Sequence, residues 1–163
     1  ALTKDKLYQA FDQGQLHRNF MGYTTQDTDL LIGLGMSSIS DSWTAFSQNE
    51  KLLSKYYERL DMGELPITKG HQLTVEDLKI RRHILNLMCH FKTSWETPAL
   101  YFDELPEVLI KLKELEADGL LIFEHKGLRV TEKGKPFVRN VCLPFDLRLQ
   151  RNKPETKLFS MTI

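Results

Sequence analysis

Apolar residues recur every three to four positions in five parts of the chain, which predicts five α-helices. The third helix has the clearest signals, because Thr74 precedes it and Asp77 follows three residues later, as in a capping box. Its apolar stripe predicts a face in the core and consists of Ile80, Ile84, Leu87, Met88 and Phe91. The five helices are predicted over residues 3–14, 50–60, 74–91, 103–118 and 132–142. Capping residues for the first, fourth and fifth are expected at Thr3, Asp103 and Thr131, and Gly119 is expected to end the fourth helix in a left-handed conformation.

Three segments between these helices have other patterns. Residues 16–26 lack a helical period and are rich in hydrogen-bonding side chains, which predicts a loop that lines a site. Leu30-Leu31-Ile32 is a continuous apolar run, typical of a strand buried on both faces. Gly33 and Gly35 follow this run, and glycine in a strand often marks the close approach of a ligand. Residues 65–73 predict an extended connector.

The elements from residue 74 to 145 follow the order helix, helix, hairpin, helix, which is typical of a winged-helix domain. The hairpin turns at His125-Lys126-Gly127. We therefore predict a mainly helical α+β fold, with a winged-helix-like domain over residues 46–163. Residues 1–45 hold the first helix, the site loop and the buried glycine-rich strand. Because a single strand cannot form a sheet, we expect the chain to be a piece of a larger protein.

Many winged-helix domains bind DNA, so a DNA-binding module is one alternative function. The helix that would enter the major groove, residues 103–118, has six acidic residues and two lysines, and phosphate would repel it. The chain has 22 Lys plus Arg and 22 Asp plus Glu, so its formal net charge is zero. Binding to nucleic acid regardless of sequence needs a basic excess. We favour a winged helix used for packing or for gating a ligand, without nucleic acid.

Composition excludes further classes of protein. Two cysteines in 163 residues cannot form a disulfide scaffold or a cysteine-rich metal site, and they indicate a reducing compartment. The five histidines include no pair at i, i+4, so we predict no metal site. His83 and His90 are seven residues apart, and we expect one to be solvated and the other to cap the helix end. The absence of a long apolar run and of a secretory signal favours a cytoplasmic protein without a membrane partner.

Three motifs resemble those of oxygen-independent coproporphyrinogen III oxidases. The first begins at His17 and reads His-Arg-Asn-Phe-x-Gly-Tyr-Thr-Thr, followed by Asp-Thr-Asp-Leu-Leu from residue 27. The second is Gly-x-Gly-x-Ser-x-Ile-Ser at residues 33–40. The third is Arg-Asn-x-Cys-x-x-Phe-Asp at residues 139–146, and Arg81-Arg82 in the third helix adds to it. The resemblance covers nearly the whole chain.

The resemblance implies a radical S-adenosylmethionine enzyme. In that family a [4Fe-4S] cluster splits the cofactor, and the radical formed removes hydrogen from propionates of coproporphyrinogen III. Two of the four propionates lose carbon dioxide and become vinyl groups, which gives protoporphyrinogen IX. The resemblance further implies that this chain is the C-terminal portion of such an enzyme, with residues 1–45 the end of its catalytic barrel.

The family's cluster lies on a Cys-x3-Cys-x2-Cys loop, whereas Cys89 and Cys142 here are 53 residues apart. We therefore expect no catalytic residue, no bound cofactor and no oxidase activity in this chain alone. Its expected partners are coproporphyrinogen III and the missing N-terminal radical SAM barrel.

The resemblance also implies candidate site residues. Ile39 stands where the family's isoleucine contacts S-adenosylmethionine, and Gly33 and Gly35 are candidate cofactor contacts beside it. The substrate bears four carboxylates, and arginine is the side chain best suited to bind them through paired hydrogen bonds. The candidate substrate-binding residues are Arg18, His17, Tyr23, Arg82 and Arg139.

A haem chaperone from the same superfamily is the other alternative. That class tends to have a Gly-Pro-Gly-Ala-His-Ser type of motif where this sequence has residues 33–40, which contain neither proline nor histidine. The first and third motifs also favour the oxidase.

Overall fold

A computed structural model describes residues 3–151, which form a mixture of helices and strands. The chain divides into two compact units between Leu78 and Lys79. The first unit contains α1 (Lys6–Asp12), β1 (His17–Asn19), β2 (Gly22–Thr24), β3 (Ile39–Asp41), β4 (Ala45–Asn49), α2 (Leu53–Asp61) and β5 (Ile67–Gln72). Helix α3 (Val75–His90) begins before the division and continues beyond it. The second unit also contains β6 (Lys92–Ser94), α4 (Leu105–Ala117), β7 (Leu121–Glu124), β8 (Gly127–Val130), α5 (Val138–Cys142) and α6 (Leu147–Arg151).

The strands of the first unit form two antiparallel sheets. β1 and β2 make a hairpin, and β3, β4 and β5 pair in that order. The prediction of a loop over residues 16–26 is therefore wrong, because that segment contains both hairpin strands. The predicted connector over residues 65–73 contains β5, which pairs along β4. Strand pairing sets both structures: β2 pairs with the adjacent β1, and β5 pairs with β4 across the intervening α2.

The run Leu30-Leu31-Ile32 is not a buried strand, contrary to the prediction. Leu31 makes a single bridge with Asp41, and Leu30 and Ile32 are 57% and 66% exposed. A strand buried on both faces needs paired neighbours and cover on each side. In the described part of the first unit, this run has one bridge on one side and two exposed side chains.

The predicted domain boundary after residue 45 lies inside a sheet. β3 precedes it and β4 begins at it, and the two strands pair with each other. The predicted boundary refers to domains of the family and not to compact units of this chain, and it stays a prediction.

The second unit has a continuous apolar core. Helices α3, α4 and α5 and the strands β7 and β8 all contribute buried residues to it. The predicted core face of α3 is confirmed: three of its apolar residues are buried and the other two pack against the core. Among the largest fully buried side chains are Phe145, Leu87, Leu105 and Leu112.

Two helix-end predictions are confirmed. At the start of α3, the Thr74 amide donates to Asp77 Oδ2 at 2.8 Å and the Asp77 amide donates to Thr74 Oγ1 at 3.1 Å. At the end of α4, Gly119 has a φ of +72°, which glycine adopts without steric cost. The predicted hairpin follows as β7 and β8, which turn at His125 and Lys126.

The other three capping predictions are wrong. Asp5, not Thr3, caps α1, since its Oδ1 accepts from the Tyr8 amide at 3.0 Å. Glu104, not Asp103, precedes α4 and makes no side-chain capping bond. Thr131 closes a tight turn by accepting from the Gly134 amide at 3.0 Å. A short 3-10 helix (Lys135–Phe137) then precedes α5, which is shorter than the predicted fifth helix.

No helix among residues 3–151 is long and apolar enough to cross a membrane.

Candidate functional site

Residues 33–38, here named the glycine loop, fold back against β3. The Gly33 amide donates to Ser40 Oγ at 3.0 Å. A Cβ atom at Gly33 would lie 2.6 Å from the Ile39 carbonyl oxygen, so no side chain fits there. Gly35 has a φ of +93°, a conformation that side chains disfavour. The fold of the loop itself therefore requires both glycines, and their role as cofactor contacts stays a prediction.

Two residues outside the predicted motifs hold the glycine loop. Asn49 at the end of β4 is 7% exposed, and its Nδ2 donates to the Gly33 and Gly35 carbonyls at 3.1 and 3.0 Å. The hydroxyl of Tyr56 on α2 accepts a hydrogen bond from the Gly35 amide at 3.2 Å. Neither contact has a local signal in the sequence, because they join residues 14 to 21 positions apart.

Ile39 lines a cleft of about 370 Å³ in the first unit. Phe20, at the turn of the β1–β2 hairpin, lines the same cleft, so the first and second motifs converge there. The cleft has an aromatic and aliphatic character with two basic residues in its wall. Its other lining residues are Phe46, Ser47, Gln48, Lys69, Gly70 and His71.

The hairpin carries three of the predicted substrate-binding residues. Arg18 and Tyr23 are paired across its strands, and the guanidinium carbon of Arg18 lies 5.8 Å from the centre of the Tyr23 ring. A cation beside an aromatic face is attracted to it, so this contact restrains the arginine. His17 Nδ1 lies 3.5 Å from Asp27 Oδ1, with both side chains open to solvent.

The other two predicted substrate-binding residues belong to the second unit. Arg82 lies on α3 and Arg139 on α5, and both are exposed. Their roles, like those of the hairpin residues, stay predictions.

The resemblance implies two cofactors, S-adenosylmethionine and an iron–sulfur cluster, and the described residues suit only the first of them. The walls of the Phe20–Ile39 cleft suit the flat apolar faces of an adenine ring, so they fit S-adenosylmethionine. Within residues 3–151, no three His, Cys, Asp or Glu side chains are grouped as a metal site requires. Cys89 and Cys142 are both buried. This part of the chain therefore does not fit an iron–sulfur cluster.

His83 is fully buried, so the expectation of one solvated and one capping histidine is wrong for this residue. Its Nε2 lies 2.8 Å from the Leu100 carbonyl oxygen, and its Nδ1 lies 2.8 Å from Thr93 Oγ1. Because a carbonyl can only accept, we assign the proton to Nε2, with the Thr93 hydroxyl donating to Nδ1. Burial lowers the pKa of His83 below its ordinary value, against a smaller rise from the Leu100 bond.

This buried histidine predicts a pH-dependent stability for the second unit. Between its lowered folded pKa and the unfolded value of 6.5, the unfolded chain binds a proton that the folded chain does not. The free energy of unfolding should therefore fall as the pH decreases below about 6.5. Urea unfolding between pH 7.5 and pH 5.5, followed by Trp95 fluorescence in a Trp43→Phe background, measures this. His83→Gln should remove that part of the slope, and an identical slope in the variant would contradict the prediction.

Comparisons with known proteins identify relatives of this chain. The chain is 42% identical, over its full length, to the oxygen-independent coproporphyrinogen III oxidase of Synechocystis, of which it covers 37%. It is 39% identical to the Escherichia coli protein of that name and covers 36% of it. No family model matches the chain.

A solved structure, that of coproporphyrinogen III oxidase from Escherichia coli, described as a radical SAM enzyme, matches 90% of this chain. The TM-score is 0.82 at 38% identity, and the match covers 35% of that protein. The fold is therefore one found in a radical SAM enzyme. The chain belongs to the family of oxygen-independent coproporphyrinogen III oxidases, and it spans just over a third of the length of these relatives.

Proposed function

We propose that this chain is the C-terminal portion of an oxygen-independent coproporphyrinogen III oxidase. The whole enzyme would convert two propionates of coproporphyrinogen III to vinyl groups, with S-adenosylmethionine and a [4Fe-4S] cluster supplying the radical. This portion would cover the active site and help to bind the substrate. One observation carries the proposal: Phe20 and Ile39, from two separate motifs of the family, line one cleft.

The proposed substrate contacts follow from charge. Coproporphyrinogen III carries four carboxylates around an apolar ring system, and arginine binds carboxylates through two parallel hydrogen bonds. Arg18 is held beside Tyr23 on the hairpin whose turn residue lines the cleft. This restraint lowers the side-chain entropy that Arg18 would lose when it binds a carboxylate. Arg139 lies in the third motif and is the proposed contact from the second unit.

The proposed partner of the first unit is the N-terminal barrel of the same enzyme. Helix α2 has no buried residue, although Leu53 and Tyr57 lie on one of its faces. Leu34, Met21 and Leu65 are 86%, 78% and 76% exposed. This number of exposed large apolar side chains in one unit supports an interface there. Because the relatives are nearly three times as long as this chain, they supply a further part that could cover it.

The second unit would have a winged-helix-like shape that serves packing. Its order of α3, β6, α4 and the β7–β8 hairpin supports this assignment. Helix α4 contains more acidic than basic residues, which argues against a role in binding DNA.

Titration of the chain with coproporphyrin III, followed by porphyrin fluorescence, tests the proposed function. We expect saturable binding that the double variant Arg18→Ala/Arg139→Ala weakens by at least about tenfold, because each charged hydrogen bond contributes roughly 1.5–3 kcal/mol. Arg129→Ala is the matched control, since Arg129 pairs with Glu124 at 3.1 Å and belongs to no proposed contact. Equal affinity of the double variant and the wild type would contradict a propionate-binding role. No binding by the wild type would leave this portion the role of a lid.

A further inference from the structure

Gly33 and Gly35 have their backbone polar groups bound within the chain. The amides of Gly33 and Gly35 donate to Ser40 Oγ and the Tyr56 hydroxyl, and their carbonyls accept from Asn49. The amides of both glycines are thus already used, so these two residues contribute to the site through the shape of the loop and not through their N–H groups. That shape depends on three side chains that lie outside the loop, those of Ser40, Asn49 and Tyr56.

The loop is also tied to β4 through its second half. The backbone N–H of Asn49 donates to the Ser38 carbonyl at 2.9 Å, and the backbone N–H of Ser37 donates to the Glu50 carbonyl at 2.7 Å. Gln48 Nε2 adds a bond to the Ser37 carbonyl at 3.2 Å. Ile39 follows directly as the first residue of β3 and lines the cleft. A displacement of the loop would therefore move the residue on which the proposed cofactor contact depends.

We infer that Asn49 and Tyr56 are positioning residues of the candidate site: they hold the glycine loop and so fix Ile39 in the wall of the cleft. This inference rests on the proposed function for the importance of Ile39. The Asn49 and Tyr56 side chains, here named the clamp, hold the loop through three hydrogen bonds to Gly33 and Gly35. Neither residue touches the cleft, so neither is a catalytic residue.

The chemistry of the clamp requires an amide at position 49. One Nδ2 atom carries two hydrogens, and the structure places a carbonyl oxygen within hydrogen-bond distance for each of them. An aspartate of the same size would offer no donor and would set a negative oxygen against the Gly33 and Gly35 carbonyls. At a position that is 7% exposed, solvent cannot replace the lost bonds. Asn49→Asp therefore removes the clamp with little change of shape.

The test follows the loop by NMR in Asn49→Asp and Tyr56→Phe. We expect the Ile39 methyl resonances to shift in both variants and hydrogen exchange of the Gly35 amide to accelerate by about tenfold in Tyr56→Phe, the loss of roughly one hydrogen bond. Tyr57→Phe is the matched control, because Tyr57 is the next residue of α2 and is 56% exposed. Tyr56→Phe should lower the urea unfolding midpoint by no more than the loss of one hydrogen bond explains. The readout specific to positioning is the shift of the Ile39 resonances, which Tyr57→Phe should not show.

The clamp is overturned if both variants leave the Ile39 resonances and the Gly35 exchange rate as in the wild type, or if Tyr57→Phe changes them equally. Failure of the proposed substrate-binding role has a different signature. It appears as a wild-type chain that does not bind coproporphyrin III, while the NMR result of the two variants is unaffected.

Discussion

Phe145→Ala is expected to lower the free energy of unfolding of the second unit by about 3–5 kcal/mol. Phe145 is fully buried, and its ring stacks on His83 with the centres 5.2 Å apart. Alanine would remove the apolar contacts of a whole ring and leave a cavity that the close-packed core fills only in part. It would also remove one wall around the buried His83. Urea unfolding followed by Trp95 fluorescence, again in the Trp43→Phe background, measures the change.

Phe137→Ala is the matched control for this substitution. Phe137 is 48% exposed and lies eight residues earlier, so its replacement should cost about 1 kcal/mol or less. Equal losses for the two variants would contradict the assignment of Phe145 to the core. Phe145 belongs to the third motif of the family, so the expected result also gives that motif a structural role besides any contact of Arg139 with substrate.

The elements that the sequence predicts well are those set by nearby residues. The capping box of α3 joins Thr74 and Asp77, which are three residues apart, and the apolar period of that helix is visible within a few turns. The turn between β7 and β8 needs two residues. Each of these signals is complete within a short stretch of chain, so the sequence alone contains it.

The sheet of the first unit depends on residues that are far apart in sequence. Phe46 pairs with His71, and no local pattern near residues 67–72 identifies that partner. At Leu30-Leu31-Ile32 the sequence predicts burial that does not occur, because the structure exposes two of the three side chains. Hydrophobicity identifies a surface that avoids water, but it does not identify what covers it.

In the candidate site, too, local motifs are visible in the sequence and long-range contacts are not. Phe20 and Ile39 were both recognised in motifs, but only the fold shows that they line one cleft. Asn49 and Tyr56 could not be found, because a side-chain bond to a distant backbone carbonyl or amide leaves no periodic trace. Glycine after an apolar run predicts the approach of a ligand, whereas at Gly33 the close neighbour is the Ile39 backbone. The sequence shows that a glycine is present at position 33, but only the packing shows why a side chain does not fit there.

Gly33→Ala separates these two explanations of the glycine. An added Cβ would lie 2.6 Å from the Ile39 carbonyl oxygen and 2.8 Å from both the Ile39 carbonyl carbon and Ser38 Cβ. Two of these three atoms belong to the backbone, so the loop or β3 must move to relieve the contact. We expect the first unit to lose about 2–3 kcal/mol of unfolding free energy, the upper part of the range for overpacked sites. Urea unfolding followed by Trp43 fluorescence in a Trp95→Phe background measures it.

Gly70→Ala is the control within the same unit. Its added Cβ would lie 3.8 Å from the Phe46 carbonyl oxygen, an ordinary contact, and alanine reduces the conformational freedom of the unfolded chain. This variant should therefore be as stable as the wild type or more stable, by up to about 1 kcal/mol. If Gly33→Ala instead kept full stability and lost only affinity for ligand, the space beside Gly33 would belong to the ligand. The packing of the glycine loop on Ile39 predicts the reverse, a loss of stability that occurs without any ligand.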